Sequence, residues 1–189
     1  MRRHYLPKNQ KFTQMSNFKE DLMKVKAFAF DIDGVCTDAT MICLADGQQV
    51  RQSNTRDGFA LRFAHEQGYP IAIISAGKNN AGVVKRFESL GLTDLYIGDL
   101  AKVPAFDAFL KRHNLTDSEV LYMGDDVPDY PILKRAGVPT CPADATNDIK
   151  PFVKYVSEFN GGHGCVRDVI EQVLRAQGRW VNFETENFL

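Results

Sequence analysis

Short apolar runs alternate along this chain with stretches in which apolar residues recur every three or four positions. The first run is "KAFAF", Lys26–Phe30, which reads as a strand. Before it, Phe18–Lys24 has helical spacing, with Asn17 placed to cap it and Glu20 three residues on. After it, "TMICLADGQQVRQS" holds two short runs around Ala45-Asp46-Gly47, a hairpin signal. In "TRDGFALRFAHEQG", Phe59, Leu61 (or Arg62), Phe63 and Ala64 predict a helix closed by Gly68. From there "PIAIIS", "LYIG", "EVLYMG" and "VPTC" read as buried strands. They alternate with the helical segments "NAGVVKRFESLG", "KVPAFDAFLKRHN" and "DYPILKRAG", and "VRDVIEQVLRAQG" is a last amphipathic helix. This alternation predicts an α/β fold. A single Rossmann-like parallel sheet carries helices on both faces, with a β-hairpin inserted after the first strand.

At 189 residues and 44% hydrophobic content, the chain suits one compact domain, expected over 17–178, with a loose leader at 1–16 and a tail at 179–189. The basic opening lacks an apolar core of the secretory kind. A net charge of -1 gives no electrostatic reason to bind nucleic acid or an anionic membrane. No apolar run approaches the roughly 18 residues that span a bilayer. Cys36, Cys43, Cys141 and Cys165 form no C-x-x-C pair and are too sparse for a disulfide scaffold, which fits reduced thiols in a cytoplasmic protein.

Ligands of such sheets bind beyond the carboxyl ends of the strands. Asp31 and Asp33 follow the first strand, Ser75 the strand "IAII", and Lys102 comes just past "LYIG" at a helix start. Asp125 and Asp126 follow "VLYMG", with Asp129 one helical turn on. Clustered carboxylates repel one another unless a hard cation sits among them, and Mg²⁺ prefers such oxygens together with substrate phosphate. An ionised Asp is a competent nucleophile towards phosphorus, and a second Asp two residues later can act as acid and then base. A Ser hydroxyl and a Lys ammonium can hold the transferring phosphoryl oxygens.

At these residues the chain resembles the haloacid dehalogenase superfamily of phosphohydrolases. The motifs are "DIDGVCTD", "IISAG", Lys102 in "GDLAKVPAF", and "GDDVPDYP". The resemblance implies that Asp31 is the nucleophile and Asp33 the acid/base. It also implies that Asp31, the main-chain oxygen of Asp33 and Asp125 hold Mg²⁺, that Ser75 and Lys102 bind phosphate, and that Asp126 and Asp129 are supporting acids. The hairpin followed by "NTRDGFALRFA", the "GDDVPDYP" form and the late "NGGHGCVRDVIEQVL" are similar to the family of 3-deoxy-D-manno-octulosonate 8-phosphate phosphatases. That similarity implies a capless homotetramer with hairpins meeting at its centre, acting on a small phosphorylated sugar acid. It points to Thr55, Arg56, Asp57, Gly58, Lys78, Arg86 and Arg167 as substrate-binding residues. Trp180, Phe183 and Phe188 of the tail would then contact a neighbour or fold back on their own surface.

The loop Ser75-Ala76-Gly77-Lys78 departs from the Thr-Gly-Arg common in the family, and a Lys is no substitute for a bidentate Arg. The same chemistry on a nine-carbon sugar acid 9-phosphate is therefore an alternative. A non-enzymatic phospho-signalling module would also gather acids, a hydroxyl and a Lys, but it lacks an acid at the position of Asp33. His163 in "GGHGC" reads as incidental.

Overall fold

The computed structural model describes residues 18–77, 81–98 and 102–182. The expected leader, the Asn17 cap, Lys78, Phe183 and Phe188 lie outside these residues. In chain order the elements are α1 (Phe18–Leu22), β1 (Ala27–Phe30), β2 (Ile42–Cys43), β3 (Gln49–Val50), α2 (Thr55–Glu66), β4 (Ile71–Ser75) and α3 (Ala81–Glu88). There follow β5 (Asp94–Ile97), α4 (Lys102–His113), β6 (Val120–Met123), α5 (Tyr130–Leu133), β7 (Val138–Cys141), β8 (Tyr155–Val156) and α6 (Cys165–Ala176).

Six strands form a parallel sheet in the order β5-β4-β1-β6-β7-β8, and β2 and β3 form a separate antiparallel hairpin. Side chains alternate across each strand, so β1 serves two cores at once. Phe28 and Phe30 join Ile71, Ile73, Leu121 and Met123 under α2 and α6. Ala27 and Ala29 join Ala72, Ile74, Val120 and Tyr122 under α4 and α5. Burial on both faces is why these strands read as unbroken apolar runs.

From β1 the chain steps outward through β4 to β5, then returns to lay β6 on the other side of β1. The order therefore reverses at β1, and the crevice beyond its carboxyl end is the place where such sheets bind ligands.

Two expectations needed adjustment. The segment 129–137 forms only one α-turn, Tyr130–Leu133, behind a 3-10 turn over Val127–Asp129. Pro131 is tolerated in the first turn, and the turn ends where Arg135 N–H bonds back to the Ile132 carbonyl and Gly137 N–H turns away to the Asp117 carbonyl. The two-residue edge strand β8 was not anticipated; it pairs with β7 through Thr140–Tyr155 and Cys141–Val156. No helix among the described residues is long and apolar enough to cross a membrane. The four cysteines are free, and only Cys43 is exposed.

Candidate active site

β1 delivers Asp31 while still laddered to β6, because the Asp31 N–H donates to the Met123 carbonyl at 3.1 Å. The chain then turns sharply over Ile32–Cys36. Gly34 sits at φ +91°, a left-handed conformation that disfavours other residues. The turn also leaves space. A Cβ on Gly34 would fall 2.0 Å from Asp125 Oδ2, so the Asp125 carboxylate, arriving from the end of β6, lies directly over this glycine.

Lys102, the first residue of α4, is almost wholly buried between two acids. Its Nζ stands 2.7 Å from Asp129 Oδ1 and 3.0 Å from Asp31 Oδ1. The contact to Asp129 is a hydrogen bond. The contact to Asp31 lacks hydrogen-bond geometry, so the buried Oδ1 of Asp31 has a positive charge beside it but no donor aimed at it. Asp129 is saturated by comparison. It also accepts from the Tyr122 hydroxyl and from the backbone N–H groups of Asp125 (3.1 Å) and Asp126 (3.3 Å). Asp126 is exposed, and its side chain accepts from Val127 N–H at 2.8 Å to start the 3-10 turn.

Carboxylate oxygens of Asp31, Asp125 and Asp129 lie within 4.8 Å of one another. With Asp129 fully engaged, Asp31 and Asp125 are the two with oxygens to offer. Burial, reinforced by the charge of Asp129 and partly offset by Lys102, pushes the Asp31 carboxyl up to about 7. Burial and the neighbouring Asp31 and Asp129 push Asp125 up to about 8. Burial pulls the Lys102 ammonium down, but Asp31 and Asp129 outweigh it and leave it above its usual range. Two raised carboxyls around an oxygen without a donor make a site that a hard divalent cation fits, because the cation would satisfy both.

Asp33 points to the other side of the turn. Arg51, just past β3, grips it as a fork: Nε is 2.6 Å from Oδ1 and Nη2 is 3.0 Å from Oδ2. The Arg51 side chain is only 6% exposed. Asp33, Arg51, Ser75 and Gly77 line one small cleft. Ser75 Oγ accepts from Gly77 N–H at 3.2 Å.

The sequence-predicted substrate residues separate into groups. Arg86 and Gly58 line a cavity of about 350 Å³ together with Arg51, Thr37 and Asn54. Gly58 leaves room for Arg86, since a Cβ there would lie 2.2 Å from the guanidinium Nη2. Asp57 borders the same cavity, but its oxygens accept from the backbone N–H groups of Gly164 (3.2 Å) and Arg167 (2.8 Å). It thereby caps the start of α6 while standing on the cavity wall.

Arg56 and Arg167 do not join this group. They line a second hollow, of about 620 Å³, with His163 and Arg175. Arg167 also lies over the Phe59 and Trp180 rings, and Trp180 packs edge-on against Phe59 and Phe63 of its own chain. Thr55 is exposed at the start of α2 and lines neither space.

Sequence reasoning missed Arg51 and Tyr122. Tyr122 sat unnoticed inside an apolar strand. Arg51 carried only a faint signal, a cation on the returning side of a hairpin beside a motif that holds two acids.

A family model described as haloacid dehalogenase-like hydrolase matches residues 88–170. The 3-deoxy-D-manno-octulosonate 8-phosphate phosphatase of Escherichia coli (strain K12) is 34% identical over 155 residues, 82% of each chain. The chain belongs to the haloacid dehalogenase-like hydrolases, within the 3-deoxy-D-manno-octulosonate 8-phosphate phosphatase family. It is accordingly a phosphatase. The crystal structure of the Yersinia pestis phosphatase superposes with a TM-score of 0.83 at 29% identity, covering 86% of this chain and 87% of that one. The Moraxella catarrhalis phosphatase, solved with magnesium, phosphate and a KDO molecule, superposes with a TM-score of 0.82 at 28% identity, covering 86% and 93%.

Proposed function

We propose that this phosphatase hydrolyses 3-deoxy-D-manno-octulosonate 8-phosphate with Mg²⁺ through an aspartyl-phosphate on Asp31. One observation carries the reading: the buried Asp31 Oδ1 has no donor aimed at it, yet sits with Asp125 and Lys102 at the switch point of the sheet. The magnesium and KDO bound to the Moraxella relative support both the metal and the substrate class. Asp31, the main-chain oxygen of Asp33 and Asp125 would hold the cation. When bound, it offsets negative charge on the transferring phosphoryl group.

The chain's own residues do the rest. Asp31 attacks phosphorus while Lys102 and Ser75 hold the phosphoryl oxygens. Asp33 protonates the departing sugar alcohol, then takes a proton from the water that opens the aspartyl-phosphate and releases inorganic phosphate. Asp129 fixes Lys102 and the loop that carries Asp125, and Asp126 shapes that loop.

A homotetramer built on the hairpin fits the exposure of Met41, Ile42, Leu44 and Val50. In that assembly Thr55, Arg56 and Arg167 would serve substrate from the rim between subunits, and Lys78 would bind substrate as well. The departure at Ala76–Lys78 favours, as a second reading, the same chemistry on a nine-carbon sugar acid 9-phosphate.

The test is phosphate release from a panel of eight- and nine-carbon sugar acid phosphates, with and without Mg²⁺. The eight-carbon substrate should be preferred, and Asp31→Asn should abolish turnover. Preference for the nine-carbon substrate selects the second reading, and near-wild-type turnover in Asp31→Asn sinks the mechanism.

A further inference from the structure

Arg51 is committed to the wrong partner for catalysis. Both of its facing nitrogens bind Asp33, and in the proposed reaction Asp33 must face the leaving oxygen instead. While the fork is closed, the Asp33 carboxylate is turned towards the guanidinium. Opening it strands an almost fully buried cation, which is costly unless another anion replaces the carboxylate.

The surroundings indicate where that anion comes from. A Cβ on Gly77 would lie 3.3 Å from Asp33 Oδ2 and 3.4 Å from both Arg51 Nη2 and Ser75 Oγ. The guanidinium, the Asp33 carboxylate and the Ser75 hydroxyl therefore all lie within van der Waals reach of the Gly77 backbone. On its other side Arg51 lines the 350 Å³ cavity, which has the size of a small ligand site. Arg86 lines that cavity too, and its side chain makes no hydrogen bond or ion pair among the described residues. Asp57, the acid on that wall, is tied to the backbone of α6. The cavity thus offers two guanidinium groups, one free and one held in reserve, and Ser75 and Lys102 already serve the phosphoryl group.

We infer that Arg51 is the specificity residue of this phosphatase: it exchanges the Asp33 carboxylate for the carboxylate of the sugar acid, and by letting go it turns Asp33 towards the leaving oxygen. The inference rests on the function proposed above. It makes the hairpin a sensor of substrate charge, since a neutral sugar phosphate supplies no second anion to open the fork.

The experiment follows Mg²⁺-dependent phosphate release from the eight-carbon sugar acid 8-phosphate and measures inhibition constants for three competitors. These are the eight-carbon 2-oxo sugar acid without phosphate, a neutral sugar alcohol of equal length, and inorganic phosphate. In the wild type the acid should inhibit roughly 30-fold better than the alcohol, the worth of one charge-assisted fork. In Arg51→Gln that preference should collapse to within about threefold while inhibition by phosphate shifts far less; Arg51→Lys, which keeps charge without the fork, should fall between. A preference that survives in Arg51→Gln overturns the inference. So does a parallel weakening of the acid and phosphate constants, because it assigns Arg51 a merely structural role. Thermal melts of both variants establish that they are folded. Absence of Mg²⁺-dependent turnover in the wild type defeats the phosphatase mechanism and takes the inference with it; turnover with an unmoved preference defeats the inference alone.

Discussion

Lys102 and Asp129 form an ion pair of 2.7 Å in which the side chains are 4% and 1% exposed. Asp129 also receives the Tyr122 hydroxyl and two backbone N–H groups, so it is the fixed point from which Lys102 and the Asp125 loop are both hung. Removing one partner of such a pair leaves the other buried and uncompensated.

Asp129→Ala should therefore lose about 3–5 kcal/mol of stability in urea unfolding. The surviving folded fraction should bind Mg²⁺ about 10- to 100-fold more weakly, because the loop carrying Asp125 loses its anchor. A Mg²⁺ titration in which affinity is unchanged would show that Asp129 holds the fold and not the site.

Gly34→Ala tests the contact between the two motif loops. The new Cβ would meet the Asp125 carboxylate, and the residue would have to adopt φ +91°. The backbone strain should cost about 1–3 kcal/mol. Mg²⁺ activation should shift to concentrations at least about tenfold higher, since displaced supports of a metal site act on this scale. Activation curves at several Mg²⁺ concentrations would read this directly.

The pH dependence follows from the raised carboxyls at about 7 and about 8. Between pH 4 and 8 the metal-free folded protein holds protons at Asp31 and Asp125 that the unfolded chain has released. The contribution of these groups to stability is full at low pH and falls as pH rises through that window. Asp125→Asn should therefore raise the metal-free melting temperature more at pH 8 than at pH 5. Mg²⁺ binding should release protons, visible in calorimetry as a binding heat that changes with the ionisation heat of the buffer.

Asp57→Ala separates the capping role from a role in binding. Two backbone N–H groups at the start of α6 lose their acceptor, at a cost of about 1–3 kcal/mol in thermal or urea unfolding. KM for the sugar acid phosphate should change less than it does in Arg86→Met. A larger KM effect in Asp57→Ala would show that Asp57 also binds substrate.

The sheet was legible because its strands are buried on both faces, so each is an apolar run whose end is marked by the first polar residue. Asp31, Ser75 and Asp125 stand at such ends, and their convergence follows from strand order alone. The capping role of Asp57 was hidden by distance. Its partners, Gly164 and Arg167, come from far along the chain, and "TRDG" at a helix start gives no hint of them. Arg51 was hidden differently: hairpin register and a long side chain bring it back across 18 residues to Asp33. Nothing in periodicity reports such a reach.

The alternation along β1 has a mechanical consequence. Its thin side, Ala27 and Ala29 beside Ala72, is what α4 packs against with Phe106 and Phe109. The first residue of that helix is Lys102. One added methyl group on an inconspicuous alanine would lever the helix outward and lengthen the gap between ammonium and carboxylate, so that a change in bulk inside the molecule would surface as a change in charge at its rim.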